Sequence, residues 1–207
     1  MSDKLCIDLC SGLGGFSQAF VDAGWEVITV DIEPTFKPTL VVDVCELAKR
    51  PFAWTSVFKL STRKKVVILA SPPCVRFSFA NPKWPVEGTG DALRIVAACM
   101  DIIIEFKPDY WALENPKGRL RWFLGKPPHS VLLSDYGKTE SVQGGKWRKV
   151  KKPTDIWGNI PFKMIEARPP EMHAKGGTGW TAVARANRAK MPLGLSQAIL
   201  EAVESQP

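Results

Sequence analysis

One cysteine stands apart from the other four by its setting. Ser71-Pro72-Pro73-Cys74-Val75-Arg76-Phe77-Ser78 comes after an apolar run, Val66 to Ala70, that stops at the two prolines. Proline ends a strand and stiffens the loop beyond it, so one thiol is presented at a strand end. Sulfur attacks as thiolate, which requires a positive or polar neighbourhood, and Arg76 is the cation nearest in sequence. The plainer reading of a free cysteine is a small buried hydrophobe. It suits Cys6, Cys10, Cys45 and Cys99, which lie in apolar or helical runs. A second group is Glu114-Asn115-Pro116, where a carboxyl closes the apolar strand Tyr110 to Leu113. A partly buried glutamic acid can hold its proton near neutrality, although a lone one would equally be a helix cap or a surface acid. The third group is Asp8-Leu9-Cys10-Ser11-Gly12-Leu13-Gly14-Gly15-Phe16. Glycines after a first strand let the backbone approach a ligand and turn into a helix N-terminus. Asp31, closing a second strand, can accept hydrogen bonds from ribose hydroxyls. Loop and acid together suit an adenosine-containing cofactor; a tight turn beside a surface acid is the alternative.

These groups need a scaffold that gathers strand ends. Leu5 to Leu9 reads as a strand, and Phe16, Ala19, Phe20 and Ala23 recur at helical spacing up to Gly24. Val27 to Val30 is a second strand, and a third begins near Leu40 and reaches Asp43. After Val66 to Ala70 comes an apolar helix, Ile95 to Phe106, and then the strand at Tyr110. Strands alternating with helices imply a parallel sheet covered on both faces, whose ligands sit beyond the carboxyl ends of the strands. Every group named above falls at such an end. Residues 125–190 are rich in Gly, Pro, Lys and Arg, with short strands expected near Val131–Ser134, Lys146–Val150 and Asp155–Trp157. Leu195, Ile199, Leu200 and Val203 mark a C-terminal amphipathic helix. The expected division is a cofactor-binding and catalytic domain over 1–125, a small basic region over 126–187, and a terminal helix over 188–207 that returns to the first domain.

The chain has 207 residues and a net charge of +7. Residues 1–115 carry −2, residues 116–190 carry +11, and the remaining residues carry −2. Charge concentrated in one block is the footprint of a polyanion-binding surface, with a merely solvated basic face as the alternative. No run approaches the ~20 apolar residues of a membrane span, and the N-terminus enters a strand without a signal peptide. Five cysteines with no CxxC pair, and two distant histidines, give no zinc or disulfide framework. The expectations are no metal, no membrane and a cytoplasmic location.

Taken together, the chain resembles the C5-cytosine DNA methyltransferase family, and especially its compact members carried by bacterial viruses. The glycine loop from Asp8 to Phe16 resembles the family's cofactor loop, Ser71-Pro72-Pro73-Cys74 with Phe77-Ser78 its nucleophile loop, and Glu114-Asn115 its acid motif. Lys152-Pro153-Thr154-Asp155-Ile156-Trp157 and Arg188-Ala189-Lys190-Met191-Pro192 resemble segments near the end of the viral members. The resemblance implies a Rossmann-like α/β methyltransferase sheet with helices on both faces and a reduced, irregular, basic target-recognition region. It implies S-adenosylmethionine held by Asp8, Cys10, Ser11, Gly12, Gly14, Gly15, Phe16, Asp31, Ile32, Asp43, Val44 and Pro72, with Asp31 on the ribose and Asp43 on the adenine amino group. Cys74 would add to C6 of a flipped-out cytosine while Glu114 engages N3, and Pro73, Arg76, Ser78 and Asn115 would contact the substrate. Arg148 stands in for the family's arginine beside the target base. The implied partner is duplex DNA bound by a monomer, in a bacterial host's cytosol if the gene is viral, where such enzymes serve restriction-modification.

The chain also departs from the pattern. Cys10 replaces a common aromatic, Val75 comes after the nucleophile where many members have Gln, and the Gln-x-Arg-x-Arg segment is not cleanly present. Only about 30 residues separate Trp157 from Arg188. Base readout needs several placed side chains, so a short or relaxed target sequence is expected. The same chemistry on RNA or single-stranded DNA stays open, since Trp147, Trp157 and Trp180 could stack on unpaired bases. So does a catalytically silent nucleic-acid binder. A dinucleotide-binding dehydrogenase is disfavoured, because the first loop lacks the G-x-G-x-x-G register.

Overall fold

The first strand, β1 (Lys4–Leu9), shows how the molecule is layered. Its side chains alternate, so Leu5, Ile7 and Leu9 enter one apolar cluster while Cys6 enters another on the opposite side. The computed structural model describes residues 2–79, 87–137, 140–143, 146–149, 152–161 and 191–207. Among them run α1 (Gln18–Asp22), β2 (Glu26–Asp31), β3 (Leu40–Val41), α2 (Val44–Ala48), α3 (Pro51–Val57), β4 (Lys65–Ala70), α4 (Thr89–Phe106) and β5 (Tyr110–Pro116). Later in the chain come α5 (Arg121–Leu124), β6 (His129–Leu132), β7 (Glu140–Gln143), β8 (Lys146–Lys149), β9 (Pro153–Gly158) and α6 (Leu193–Glu204).

Seven strands form one sheet in the order β3-β2-β1-β4-β5-β9-β6. The first five are parallel. β9 inserts antiparallel between β5 and β6. The all-parallel sheet expected from alternation is thus a mixed one, because two strands from the basic half add to its edge. The α/β architecture with helices on both faces holds: α2, α3 and α4 cover one side, α1 and α6 the other. β7 and β8 form a separate hairpin.

Boundaries moved where apolar periodicity is silent. α4 starts at Thr89, six residues before Ile95, after Gly88 at φ 77°. The third strand stops at Val41, and Asp43 instead caps α2 by accepting from Cys45 N at 2.8 Å. The strand expected at Val131–Ser134 lies at His129–Leu132, and Leu133–Asp135 forms a 3-10 turn. β5 runs on past Leu113 to Pro116, because β9 pairs with its last residues. Among the described residues no helix is long and apolar enough to cross a membrane.

Candidate active site

The parallel register brings four strand ends into one row. Val30, Leu9, Ala70 and Leu113 are successive partners across β2, β1, β4 and β5. The next residue of each chain segment, Asp31, Cys10, Ser71 and Glu114, therefore lies at the carboxyl edge, where a cavity of about 530 Å³ opens. Its lining includes Cys10, Ser11, Gly12, Gly15 and Phe16 of the glycine loop, Asp31 and Ile32, Asp43 and Val44. Pro72, Pro73, Cys74 and Glu114 complete the far end. Most of the residues singled out in sequence are thus gathered around one space.

At the loop end the backbone does the binding. Asp31 accepts from Gly12 N at 2.8 Å and from Glu33 N at 2.9 Å, which ties the loop to the end of β2. Gly12 adopts φ +52°, a left-handed conformation that costs glycine little. Cys10 adopts φ +55° without that freedom. Its thiol is raised well above the ordinary value, first by its contact with Cys99 and then by burial, so it stays protonated. Ser11 lines the cavity, and its hydroxyl is buried with no hydrogen-bond partner among the described residues. A hydroxyl so placed is available to hydrogen-bond a bound ligand or an ordered water. With Asp31 and Asp43 among its lining and Phe16, Val30 and Val44 as apolar walls, the space can hold a ligand that combines hydrogen-bonding groups with a flat apolar ring.

Asp8 and Gly14 do not line that space. Asp8 is fully buried on the α1 side of the sheet, accepting from Ser17 Oγ at 2.7 Å, and its other oxygen has no partner among the described residues. Burial raises its carboxyl from 3.8 to about 7, against the lowering effect of Ser17. Asp8 therefore braces the loop from behind.

At the other end, the segment after β4 is pinned on both sides. Asn115 Nδ2 donates to Pro72 O at 2.9 Å, while Phe77 N and Ser78 N both donate to Cys74 O at 2.9 Å. Ser78 bridges to Gly118, where an added Cβ would meet Phe77 O at 2.2 Å, so only glycine permits this approach. The turn leaves Cys74 half-buried at the cavity, with Ser78 and Asn115 behind it as supports. Arg76 lies elsewhere: its guanidinium packs over Gly88 before α4.

The cation that acts here is Lys152, which sequence reading passed over. It lines the cavity with Cys74 and Glu114. Burial raises the Cys74 thiol, the Glu114 charge raises it further, and Lys152 opposes both. Burial likewise raises Glu114, which Lys152 and the Thr154 hydroxyl, donating at 3.3 Å, pull back. Next along β9, Asp155 is fully buried and ion-paired to Arg121 through two nitrogens, with Ser130 donating at 2.7 Å. The segment Lys152-Pro153-Thr154-Asp155 was visible as a motif; its nearness to Glu114 depends on β9 pairing with β5. Arg148 lies on β8 of the hairpin, and its side chain is not among the described features. Arg188 and Lys190 lie outside the described residues, while Met191 reaches the cavity wall.

Chemically, the arrangement places one thiol, one buried carboxyl and one lysine amine at the far end of the cavity. Thiol with carboxylate and thiolate with carboxylic acid hold the same single proton. Only the second pairing has both a nucleophile and an acid.

Comparison with known proteins bears on this geometry. The model of the C-5 cytosine-specific DNA methylase family matches residues 5–121, a span holding the glycine loop, Cys74 and Glu114 but not Lys152. A protein of Frog virus 3 named "Probable DNA (cytosine-5)-methyltransferase" is 29% identical over 174 residues, 75% of this chain and 72% of its own length. Type II methyltransferase M.AquIA of Picosynechococcus sp. is 24% identical over 139 residues, 63% of this chain and 55% of that enzyme. Among solved structures, a "putative DNA modification methyltransferase encoded within prophage" from E. coli aligns with TM-score 0.49 and 19% identity, covering 74% of this chain and 45% of that one. The chain thus spans about half the length of two of these relatives.

Proposed function

The chain belongs to the C-5 cytosine-specific DNA methylase family, and from that membership we propose that it methylates C5 of cytosine in duplex DNA with S-adenosylmethionine. The observation that carries this reading is the meeting of Cys74 and Glu114 on the cavity that the glycine loop and Asp31 also line. When bound, the cofactor supplies an electrophilic methyl group. Ser11, Asp31 and Asp43 would hold its polar groups, and Phe16, Ile32 and Val44 its adenine.

The protein's own steps concern one proton and one sulfur. A cytosine stacked in a duplex cannot reach Cys74, so the base must be drawn out. Cys74 thiolate then adds to C6. Glu114, whose neutral form burial favours, donates its proton to N3 and draws electrons from the ring, which makes C5 nucleophilic. After methylation C5 gives its proton to a water acting as base, N3 returns its proton to Glu114, the C5–C6 double bond re-forms, and the sulfur leaves as thiolate. Lys152 stabilises that thiolate and any charge on Glu114, a duty assigned by position rather than by the motif expected at Arg148. Pro73, at the exposed rim, would contact the base, and Arg76 a phosphate outside. The basic block 116–190, with the hairpin at its centre, supplies phosphate contacts.

The test is methyl transfer from labelled S-adenosylmethionine to duplex DNA, single-stranded DNA and RNA of one sequence. Wild-type transfer to duplex cytosine is expected, with none by Cys74→Ala and with cofactor affinity held within about threefold, below ~0.7 kcal/mol. Full activity in Cys74→Ala would reject the covalent route. Transfer to RNA alone would reassign the substrate.

A further inference from the structure

Three aromatic side chains are exposed among the described residues, and all three lie together. Phe79 is 54% exposed, Trp122 63% and Phe123 46%. Phe79 and Trp122 meet edge to face, with centroids 6.5 Å apart, and Phe123 rests on buried Phe77 at 6.3 Å. The Arg119 guanidinium carbon stands 5.2 Å above the Phe79 ring. Arg119 also donates to Ser78 O at 3.0 Å, and its backbone N–H to Phe77 O at 2.8 Å. Together with the bridge from Ser78 to Gly118, these bonds fasten the patch to the turn that carries Cys74. Val75, the residue after the nucleophile, is 64% exposed on that turn.

Exposed aromatic side chains gathered in one patch point to an interaction site. The charge around it selects the partner. Residues 116–126 carry Lys117, Arg119, Arg121 and Lys126 and no acid. Arg121 is ion-paired to Asp155, Arg119 lies on the Phe79 ring, and Lys117 and Lys126 stand within five residues of Trp122 along the chain. An apolar protein face or an acidic peptide would answer only part of this surface. A nucleic acid offers both components, flat rings for the aromatics and phosphates for the cations. Removing one base from a duplex also uncovers the faces of its neighbours, which need a new surface to stack on.

We propose that Phe79, Trp122 and Arg119 form a stacking site for DNA bases flanking the one that enters the cavity. The proposal deepens the methyltransferase reading and rests on it for the identity of the polymer. Aromatic rings would cover the bases left exposed, while Lys117 and Lys126 meet the backbone on either side. Val75, exposed on the same turn, fits a rim that works by apolar and aromatic contact.

The test is fluorescence anisotropy of the full chain on a fluorescein-labelled duplex holding one unpaired cytosine, across a salt series. The double variant Phe79→Ala/Trp122→Ala should bind at least about tenfold more weakly, since each ring would stack on a base. Its slope of log Kd against log salt should match wild type, because stacking neutralises no phosphate. Lys117→Ala should do the reverse, reducing the slope by about one with a smaller loss. Trp122→Phe should retain most of the affinity, and Trp122→Ser, at an exposed site, tests the claim should the double variant not fold. Cofactor affinity within threefold of wild type certifies a folded chain. Unchanged DNA affinity in the folded variants would overturn the proposal, as would a dimer in sedimentation that the variants dissolve, which would assign the patch to a second copy. A wild-type chain that binds through this patch but transfers no methyl group would leave the patch standing and remove the enzyme reading. Active variants with unchanged binding would remove the patch alone.

Discussion

At one end of the cavity the Asp31 carboxylate takes two backbone N–H groups, at 2.8 and 2.9 Å. At the other end the Glu114 carboxyl is buried with one hydroxyl at 3.3 Å. The first is a fixed acceptor whose geometry the backbone sets before any ligand arrives. The second sits where burial favours its neutral form, with Lys152 close enough to pull it back. Position against a strand end is the same in both. What differs is the number of N–H groups aimed at the oxygens and the amount of apolar cover. A carboxyl supplied with donors becomes a binding group, and one starved of them becomes a proton carrier.

That contrast can be broken most severely at Glu114. Glu114→Gln keeps the shape and removes the transferable proton, so kcat should fall about 10²- to 10⁴-fold. Cofactor affinity, read by calorimetry, should stay near wild type. An equal loss of cofactor affinity would erase the division between the two ends.

A second carboxyl, Asp8, sharpens the comparison because it is starved of donors yet lies behind the loop. Its value of about 7 exceeds the ordinary 3.8, so the folded chain holds this proton more tightly than the unfolded chain. The stabilisation is complete below pH 3.8 and is lost as pH rises towards about 7. By linkage the loss is at most about 4 kcal/mol. Denaturant titrations from pH 4 to pH 8 should show this decline in wild type and not in Asp8→Asn. A matching decline in the variant would place the titration elsewhere.

The smallest effect concerns Lys152. Its removal in Lys152→Met should raise the Cys74 thiol further, since this cation opposes burial and the Glu114 charge. Alkylation of the Cys74 peptide, read by mass spectrometry, should then need higher pH, and Lys152→Arg should restore the wild-type profile. An unmoved profile would give Lys152 a purely structural place.

Legibility in sequence tracked the range of the interaction concerned. The glycine loop, the Pro-Pro-Cys74 turn and Glu114 were readable because each is a local signal at a strand end. Their convergence came from parallel pairing, which alternating strands and helices already imply. Lys152 and Thr154 were not readable as neighbours of Glu114, since β9 lies some 40 residues on and pairs antiparallel. Arg76 drew attention by closeness in sequence, yet the turn at Cys74 sends it to Gly88. Asp8 shows the opposite lapse. It shares the side of β1 with Cys6, and two-residue alternation would have assigned it to the α1 side. The start of α4 escaped because Gly88-Thr89-Gly90-Asp91 has no apolar period.

The central claim is a covalent bond between the Cys74 sulfur and a pyrimidine ring. A duplex containing 5-fluorocytosine tests it directly, because fluorine cannot leave C5 as a proton does and the adduct should persist. With S-adenosylmethionine present, the account predicts a protein–DNA species stable to denaturant, attached at the peptide containing Cys74 and absent in Cys74→Ala. Active methylation of ordinary cytosine without any such species, or attachment through another residue, would contradict it.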